Sequence, residues 1–239
     1  MKLNKRFFTL IISILMVLAI PFIIYGFNIN SVVFDTDLYK EEFLKYNVYN
    51  NLKEHDIEEI NDDVLHYLRF ERNNELIKGD FFNQREKTHL LDVNIFILAI
   101  LNIYYFSLIL FLSLSIPLIF LSNFNFKKIA KRFLIILMIG SFLTLLDAGL
   151  LFLLSNFNFN FVFDFFHKTF FSAGTYTFNP KLENIVVLYP ENLFFDFLIK
   201  IVANTILSSV IALFFSIIII FIFFKQNFLN FFRKFSSRK

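Results

Sequence analysis

The sequence predicts an all-α polytopic membrane protein: four transmembrane helices, an outer helical cap, and an interfacial or re-entrant helix before the last span. Three observations carry that expectation. Four apolar stretches each reach the roughly 20 residues needed to cross a ~30 Å hydrocarbon core. Only 18% of the 239 residues are charged and 57% are hydrophobic, whereas a soluble domain runs near a quarter charged. Basic residues also collect on alternate connections, which orients the spans. The whole chain, 1–239, reads as a single integral membrane domain.

The first span, about 7–27, follows the basic stretch "KLNKR". Its apolar run is long for a signal peptide, and Pro21 and Tyr25 stand where a cleavage site wants small residues, so it reads as an uncleaved anchor. The segment 28–92 is acid-rich ("KEHDIEEINDD") and carries Val64, Leu65 and Leu68 at helical spacing. It predicts a small helical cap, with Asn61 or Asp62 placed to cap a helix start. His55 and His66 fall in it as solvated surface residues. The second span, about 93–121, and the third, about 133–154, enclose the loop 122–132 with Lys127, Lys128, Lys131 and Arg132. A second outer segment covers 155–193. The fourth span, about 194–224, ends in the basic tail 225–239.

The N-terminus, the loop 122–132 and the tail hold basic residues and no acidic ones. By the positive-inside rule all three are cytoplasmic, which makes this a multi-pass protein of the cell membrane with both termini inside. With zero cysteines, disulfides, thiolate zinc sites and a cysteine nucleophile are excluded. The chain has no glycine-rich phosphate loop and no HExxH, so it predicts no metal, no cofactor and no nucleic-acid partner. Its oligomeric state is not legible.

Polar side chains are expensive inside a membrane, so their positions are informative. Asp196, Lys200, Asn204 and Ser208 recur every four residues and make one polar stripe from the outer end of the fourth span. Asp147 lies about 15 residues beyond the inner end of the third span, roughly 22 Å up at 1.5 Å per residue, which suggests an ion pair with Lys200. Gly140, Ser141, Thr144 and Ala148 would let the third helix approach its neighbours closely.

Two histidines sit at the outer face. His89, in "REKTHLLDVN", has Asp92 three residues on, and His167, in "FVFDFFHKTFF", has Asp164 three residues before it. A carboxylate one helical turn away is the usual device for fixing the tautomer and orientation of a catalytic base. The segment around His167 is too short to span and too apolar for water. It reads as an interfacial helix with Phe163, Phe166 and Phe170 dipping into lipid and Asp164, His167 and Lys168 sharing the other face. A histidine at headgroup depth suits a lipid substrate. On the residues alone, two histidines that merely cap interfacial helices are the favoured alternative.

"REKTHLLDVN", followed after a hairpin of spans by "DFFHKTFFSAGTYTFNPKLENIVVLYPENLFFDF", resembles the four-span membrane protein family that includes the lipoprotein intramolecular transacylases. "INDDVLHYLRF" resembles that family's outer helix. Asn179 stands before the proline where an aspartate is expected, and the outer cap is longer. The resemblance implies movement of the sn-2 acyl chain of a diacylglyceryl lipoprotein onto the α-amino group of its N-terminal cysteine, so that membrane lipid and a lipoprotein are the partners. It also implies that the family's two histidines are His89 and His167. With the resemblance, His167 is the candidate base, oriented by Asp164, and His89 donates to the developing oxyanion. Asp92, Lys200, Asp196 and Asp147 are supporting residues. An acyltransferase or lipid hydrolase with another substrate keeps the same histidines. A non-enzymatic membrane scaffold or sensor, binding a partner through its acidic cap, uses neither.

Overall fold

A computed structural model describes residues 2–70, 76–171 and 176–236, with side chains described between 4 and 223. Among the described residues nine helices and no strand occur. Four helices are long and apolar enough to cross a membrane: α1 (Lys2–Val33), α5 (Gln84–Leu121), α6 (Phe126–Phe157) and α9 (Glu191–Ser236). Between them lie α2 (Thr36–Lys45), α3 (Val48–Asn51) and α4 (Ile57–Phe70), then α7 (Phe159–Phe170) and α8 (Ile185–Leu188). The long helices exceed the predicted spans because their ends continue past the apolar window. In α5 the first turns, Gln84 to Asp92, carry Arg85, Glu86 and Lys87 and protrude beyond the apolar run.

The chain forms two compact units. Unit 1 comprises 1–25, 104–149 and 204–239. Its core is Met16 and Ile20 of α1 with Leu118 of α5 and Ile136 of α6, packed round by Phe111, Leu114 and Phe133. Close approach of α6 to α1 rests on Gly140, where an added Cβ would lie 2.6 Å from Ile20 Cβ. Ser141, Thr144 and Ala148 are fully buried, as the small-residue spacing predicted. Two of the buried hydroxyls here turn back onto their own helix. Thr144 Oγ1 donates to the Gly140 carbonyl at 2.8 Å and Ser209 Oγ to the Thr205 carbonyl at 2.7 Å. Such bonds satisfy donors that lipid cannot. In α9 the fully buried polar residues of this unit are Thr205, Ser209 and Ser216, one position off the predicted Asn204 and Ser208, which are half-buried.

Unit 2 comprises 26–103 and 150–203. Its core joins Phe43 of α2, Val64 and Leu68 of α4, Ile185 and Leu188 of α8 and Leu193 and Phe197 of α9. Asp35 caps α2 by accepting from Leu38 N at 3.2 Å. The cap of α4 is Asp56, whose Oδ1 accepts from Glu59 N at 3.1 Å. The expectation that Asn61 or Asp62 would cap this helix is therefore corrected. The apolar periodicity begins a turn earlier, at buried Ile57, and Asn61 lies buried within the helix, accepting from the Tyr189 hydroxyl at 3.0 Å. His55 and His66 are exposed, His55 edge-on to Phe81 and His66 against Phe70.

Candidate functional site

The site lies in unit 2, where the first turns of α5 meet α7. Helix α7 starts at Asn158, whose side chain accepts from Phe161 N at 3.0 Å. It is pinned to α5 by Phe96, whose ring sits 5.2 Å from Phe166 and 4.8 Å from Phe170. That docking brings His89 and His167, 78 positions apart in sequence, into an offset near-parallel stack, with ring centroids 6.2 Å apart and planes at 18°. Both are buried, at 8% and 9% exposure.

A shell of aromatic rings closes over the pair. Phe163, Phe171 and Tyr176 lie 4.1, 5.2 and 5.2 Å from His167. Phe171 and Phe178 lie 5.0 and 5.3 Å from His89. Removal from water disfavours the charged imidazolium. Burial therefore holds His167 below the usual histidine value, against the opposing pull of the Phe163 carbonyl, Asp164 and Glu191. Burial first, and the neighbouring His167 second, bring His89 down to about 4. Both rings are neutral at pH 7.

His167 Nδ1 donates to the Phe163 carbonyl at 2.8 Å. This fixes the Nδ1–H tautomer, leaving Nε2 with its lone pair as the proton acceptor. The orienting partner is thus a backbone carbonyl four residues back, which corrects the expectation for Asp164. Asp164 is exposed and pairs with Lys168 at 2.5 Å. The predicted faces of α7 are corrected with it. His167 shares the inward face with Phe163 and Phe166, while Phe161, Phe165, Asp164 and Lys168 are exposed. The reason is the helical period, since positions 163 and 167 are closer in azimuth than 164 and 167. His89 Nδ1 is buried and has no hydrogen-bond partner. Asp92, half-buried in the next turn, does not hold it.

Asp196 accepts from Lys45 of α2 at 2.5 Å and from the Tyr46 hydroxyl, tying the outer cap to α9. Lys200 is exposed, and Asp147 of unit 1, also exposed, approaches the Tyr25 hydroxyl.

Sequence reading missed the scaffold beneath the histidines. Glu86, 1% exposed, accepts from Asn83 N at 2.6 Å and from Ile185 N at 2.7 Å. Glu183, 6% exposed, accepts from Arg85 at 2.7 Å and from Asn179 N at 2.5 Å. Arg85 also donates to the Thr177 carbonyl and lies over the Phe178 ring at 5.0 Å. Two buried carboxylates therefore clamp the loop from Thr177 to Ile185 onto the start of α5 and hold Phe178 against His89. Asn179 serves this turn by accepting from Lys181 N at 3.0 Å, which an aspartate would do equally. The available signal was Glu183 itself, the single acidic residue between Asp164 and Glu191.

Two neutral stacked imidazoles within an aromatic shell, one with Nε2 as its acceptor nitrogen, suit proton transfer during acyl transfer. Comparison with known proteins bears on that chemistry. Three structures of the membrane integral lipoprotein intramolecular transacylase Lit from Bacillus cereus superpose on the chain. The first is 23% identical, with a TM-score of 0.73 over 95% of this chain and 99% of that one. A variant with a histidine replaced by arginine is 21% identical, at 0.71 over 93% and 94%. One with the histidine replaced by alanine is 22% identical, at 0.68 over 89% and 92%. No curated protein sequence matches. The profile of the lipoprotein intramolecular transacylase Lit family matches residues 14–195, a stretch holding α2, α3, α4, α7 and α8 and both stacked histidines, and by that match the chain belongs to this family.

Proposed function

We propose that the protein moves the sn-2 acyl chain of a diacylglyceryl lipoprotein onto the α-amino group of its N-terminal cysteine, with His167 as the base and His89 as the oxyanion donor. The observation that carries the reading is the stacked pair itself, with His167 Nδ1 tied to the Phe163 carbonyl. As the amine nitrogen bonds to the ester carbonyl, His167 Nε2 takes the amine proton. The negative charge that develops on the carbonyl oxygen is met by the N–H of neutral His89. When the tetrahedral intermediate collapses, the sn-2 C–O bond breaks and the departing glyceryl oxygen recovers the proton from His167. One amide forms, one ester is lost, and no proton leaves the site.

General-base help contributes about 10²–10⁴-fold and one oxyanion donor about 10²–10³-fold. Those factors suffice where attacking and leaving groups belong to one molecule and proximity is already supplied. The aromatic shell has a second use. Water competes with the amine for the ester, and rings that leave only 8–9% of each histidine exposed keep it out. The basic residues at both ends of the chain and in the loop 122–132 support an orientation with the termini inside and this site at the outer leaflet, where the lipoprotein's cysteine lies.

Expression in a lipoprotein-making host that lacks the activity tests the proposal, with the N-terminal peptide of one abundant lipoprotein read by mass spectrometry. The wild type is expected to yield the N-acyl lyso form. His167→Ala is expected to leave the lipoprotein diacylated while remaining in the membrane at wild-type level. Conversion by His167→Ala at the wild-type rate would remove His167 from the chemistry.

A further inference from the structure

The α5–α6 turn in unit 1, residues 122–125, is built rigidly and presents its aromatic rings outward. Ser122 Oγ donates to the Leu118 carbonyl at 2.7 Å and accepts from Arg132 at 2.6 Å. Asn125 Oδ1 accepts from Lys128 N at 3.0 Å and caps α6. Asn123 and Phe124 both take the left-handed conformation, at φ 55° and 53°. Asparagine visits that region readily, but a bulky phenylalanine there is an outlier.

The strained conformation brings no burial. Phe124 is 67% exposed, its ring 5.0 Å from Phe120, and the adjoining Phe126 is 80% exposed. Lys127 and Lys128 are exposed beside them. Lys5 of α1 donates to Asn123 Oδ1 at 2.6 Å and adds a charge from a second element. The sequences of 1–34 and 93–146 contain no acidic residue, so no carboxylate of this unit's spans or turn neutralises the cluster. Asp147, the unit's single acidic residue, lies 20 residues from Lys127, about 30 Å along α6. The left-handed pair closes the end of α5, with Asn123 N donating to the Phe120 carbonyl at 3.0 Å and Phe124 N to the Ile119 carbonyl at 3.4 Å, a helix C-cap that leaves the Phe124 ring outside the packing.

We infer that this turn is a binding site for an anionic phospholipid of the leaflet it faces. The headgroup phosphate is held by Lys127 and Lys128 beside Lys5, and Phe124 and Phe126 enter the acyl region below it. Charge complementarity identifies the occupant, because juxtamembrane lysines attract anionic headgroups and exposed phenylalanines favour the chains beneath them. None of these residues takes part in the chemistry of unit 2.

Purified full-length protein in neutral detergent, offered equimolar phosphatidylglycerol and phosphatidylcholine and read by native mass spectrometry, tests the site. The wild type is expected to retain phosphatidylglycerol in preference, less so as salt is raised. Lys127→Ala with Lys128→Ala is expected to weaken retention about thirtyfold, from about 1 kcal/mol per surface lysine, and the paired arginine variant to restore it. Phe124→Gly, which relieves the backbone, is expected to melt no lower than the wild type in phosphatidylcholine micelles yet to hold phosphatidylglycerol less well. Equal retention of the two lipids, undiminished retention by the double alanine variant, or early melting of Phe124→Gly would each overturn the assignment. So would inorganic phosphate displacing the lipid at equal concentration, since the site would then recognise a free anion.

Discussion

His167 shows how one backbone contact decides a side chain's chemistry. Its Nδ1–H is committed to the Phe163 carbonyl, so the basic nitrogen is Nε2. Burial lowers the ring's affinity for protons, and a base is useful only when deprotonated. The acid limb of kcat/KM is therefore expected below pH 6.5, the value of a solvated histidine, and a limb at or above 6.5 would contradict a buried neutral base. Folding should follow the same sign. His89, at about 4 in the folded state, binds fewer protons than in the unfolded chain, so its contribution to stability is full above pH 6.5 and is lost as pH falls towards 4. His167 stood out in the sequence as a titratable group in a run of phenylalanines, and His89 by its place just before the second span with Asp92 one turn on. The tautomer was not legible. An i,i+3 carboxylate advertises itself by residue type, whereas the competing backbone carbonyl at i−4 is present at every helical position and leaves no mark in the sequence.

At the scale of elements, the spans and the cap were legible because length and apolar content determine them. The contacts that set the site's geometry were not, since they join residues far apart in the chain. Arg85 and Glu183 are 98 positions apart and Lys45 and Asp196 are 151 apart. Local spacing suggested Asp92, Asp164 and Lys200 as partners, and the fold supplied other groups. The clamp under the histidines predicts a separable effect. Glu86→Ala strips the partner from two backbone N–H groups, a loss of about 1–3 kcal/mol for each donor left buried, and frees the loop that holds Phe178 against His89. Acyl transfer is expected to fall at least tenfold with the protein still in the membrane, and Glu86→Gln, which keeps an acceptor, to recover part of it. Unchanged transfer in Glu86→Ala would show that the loop's position is not needed. Close helix packing in unit 1 predicts a purely structural effect. Gly140→Ala places a Cβ 2.6 Å from Ile20, where the neighbour is a β-branched side chain with little freedom. It is expected to destabilise by about 1–3 kcal/mol, read as a lower midpoint of far-ultraviolet helix loss. An unaltered midpoint would mean that α1 moves aside freely.

At the scale of the whole molecule, charge is divided between the units as sharply as polarity is. The sequence of unit 1 contains twelve of the chain's 23 lysines and arginines and a single acidic residue, Asp147, while unit 2 holds the other acidic residues and both stacked histidines. Lysine and arginine beside span ends resist translocation, and acidic residues influence orientation little. Those charges therefore predict which connections stay in the cytoplasm. The absence of cysteine makes this directly measurable, because each introduced cysteine is the only thiol on the chain. Leu182→Cys probes the loop between α7 and α8, where the native side chain is 77% exposed, and Phe126→Cys probes the α5–α6 connection, at 80% exposed. A membrane-impermeant maleimide applied to intact cells is expected to label the cysteine at 182 at once and the cysteine at 126 only after permeabilisation. The reverse pattern would put His89 and His167 at the inner leaflet, where the mature lipoprotein's cysteine does not lie, and would refute the proposed substrate while leaving the fold untouched. Labelling of both in intact cells would mean that the turn carrying Lys127 and Lys128 is outside as well, a topology that four spans cannot produce.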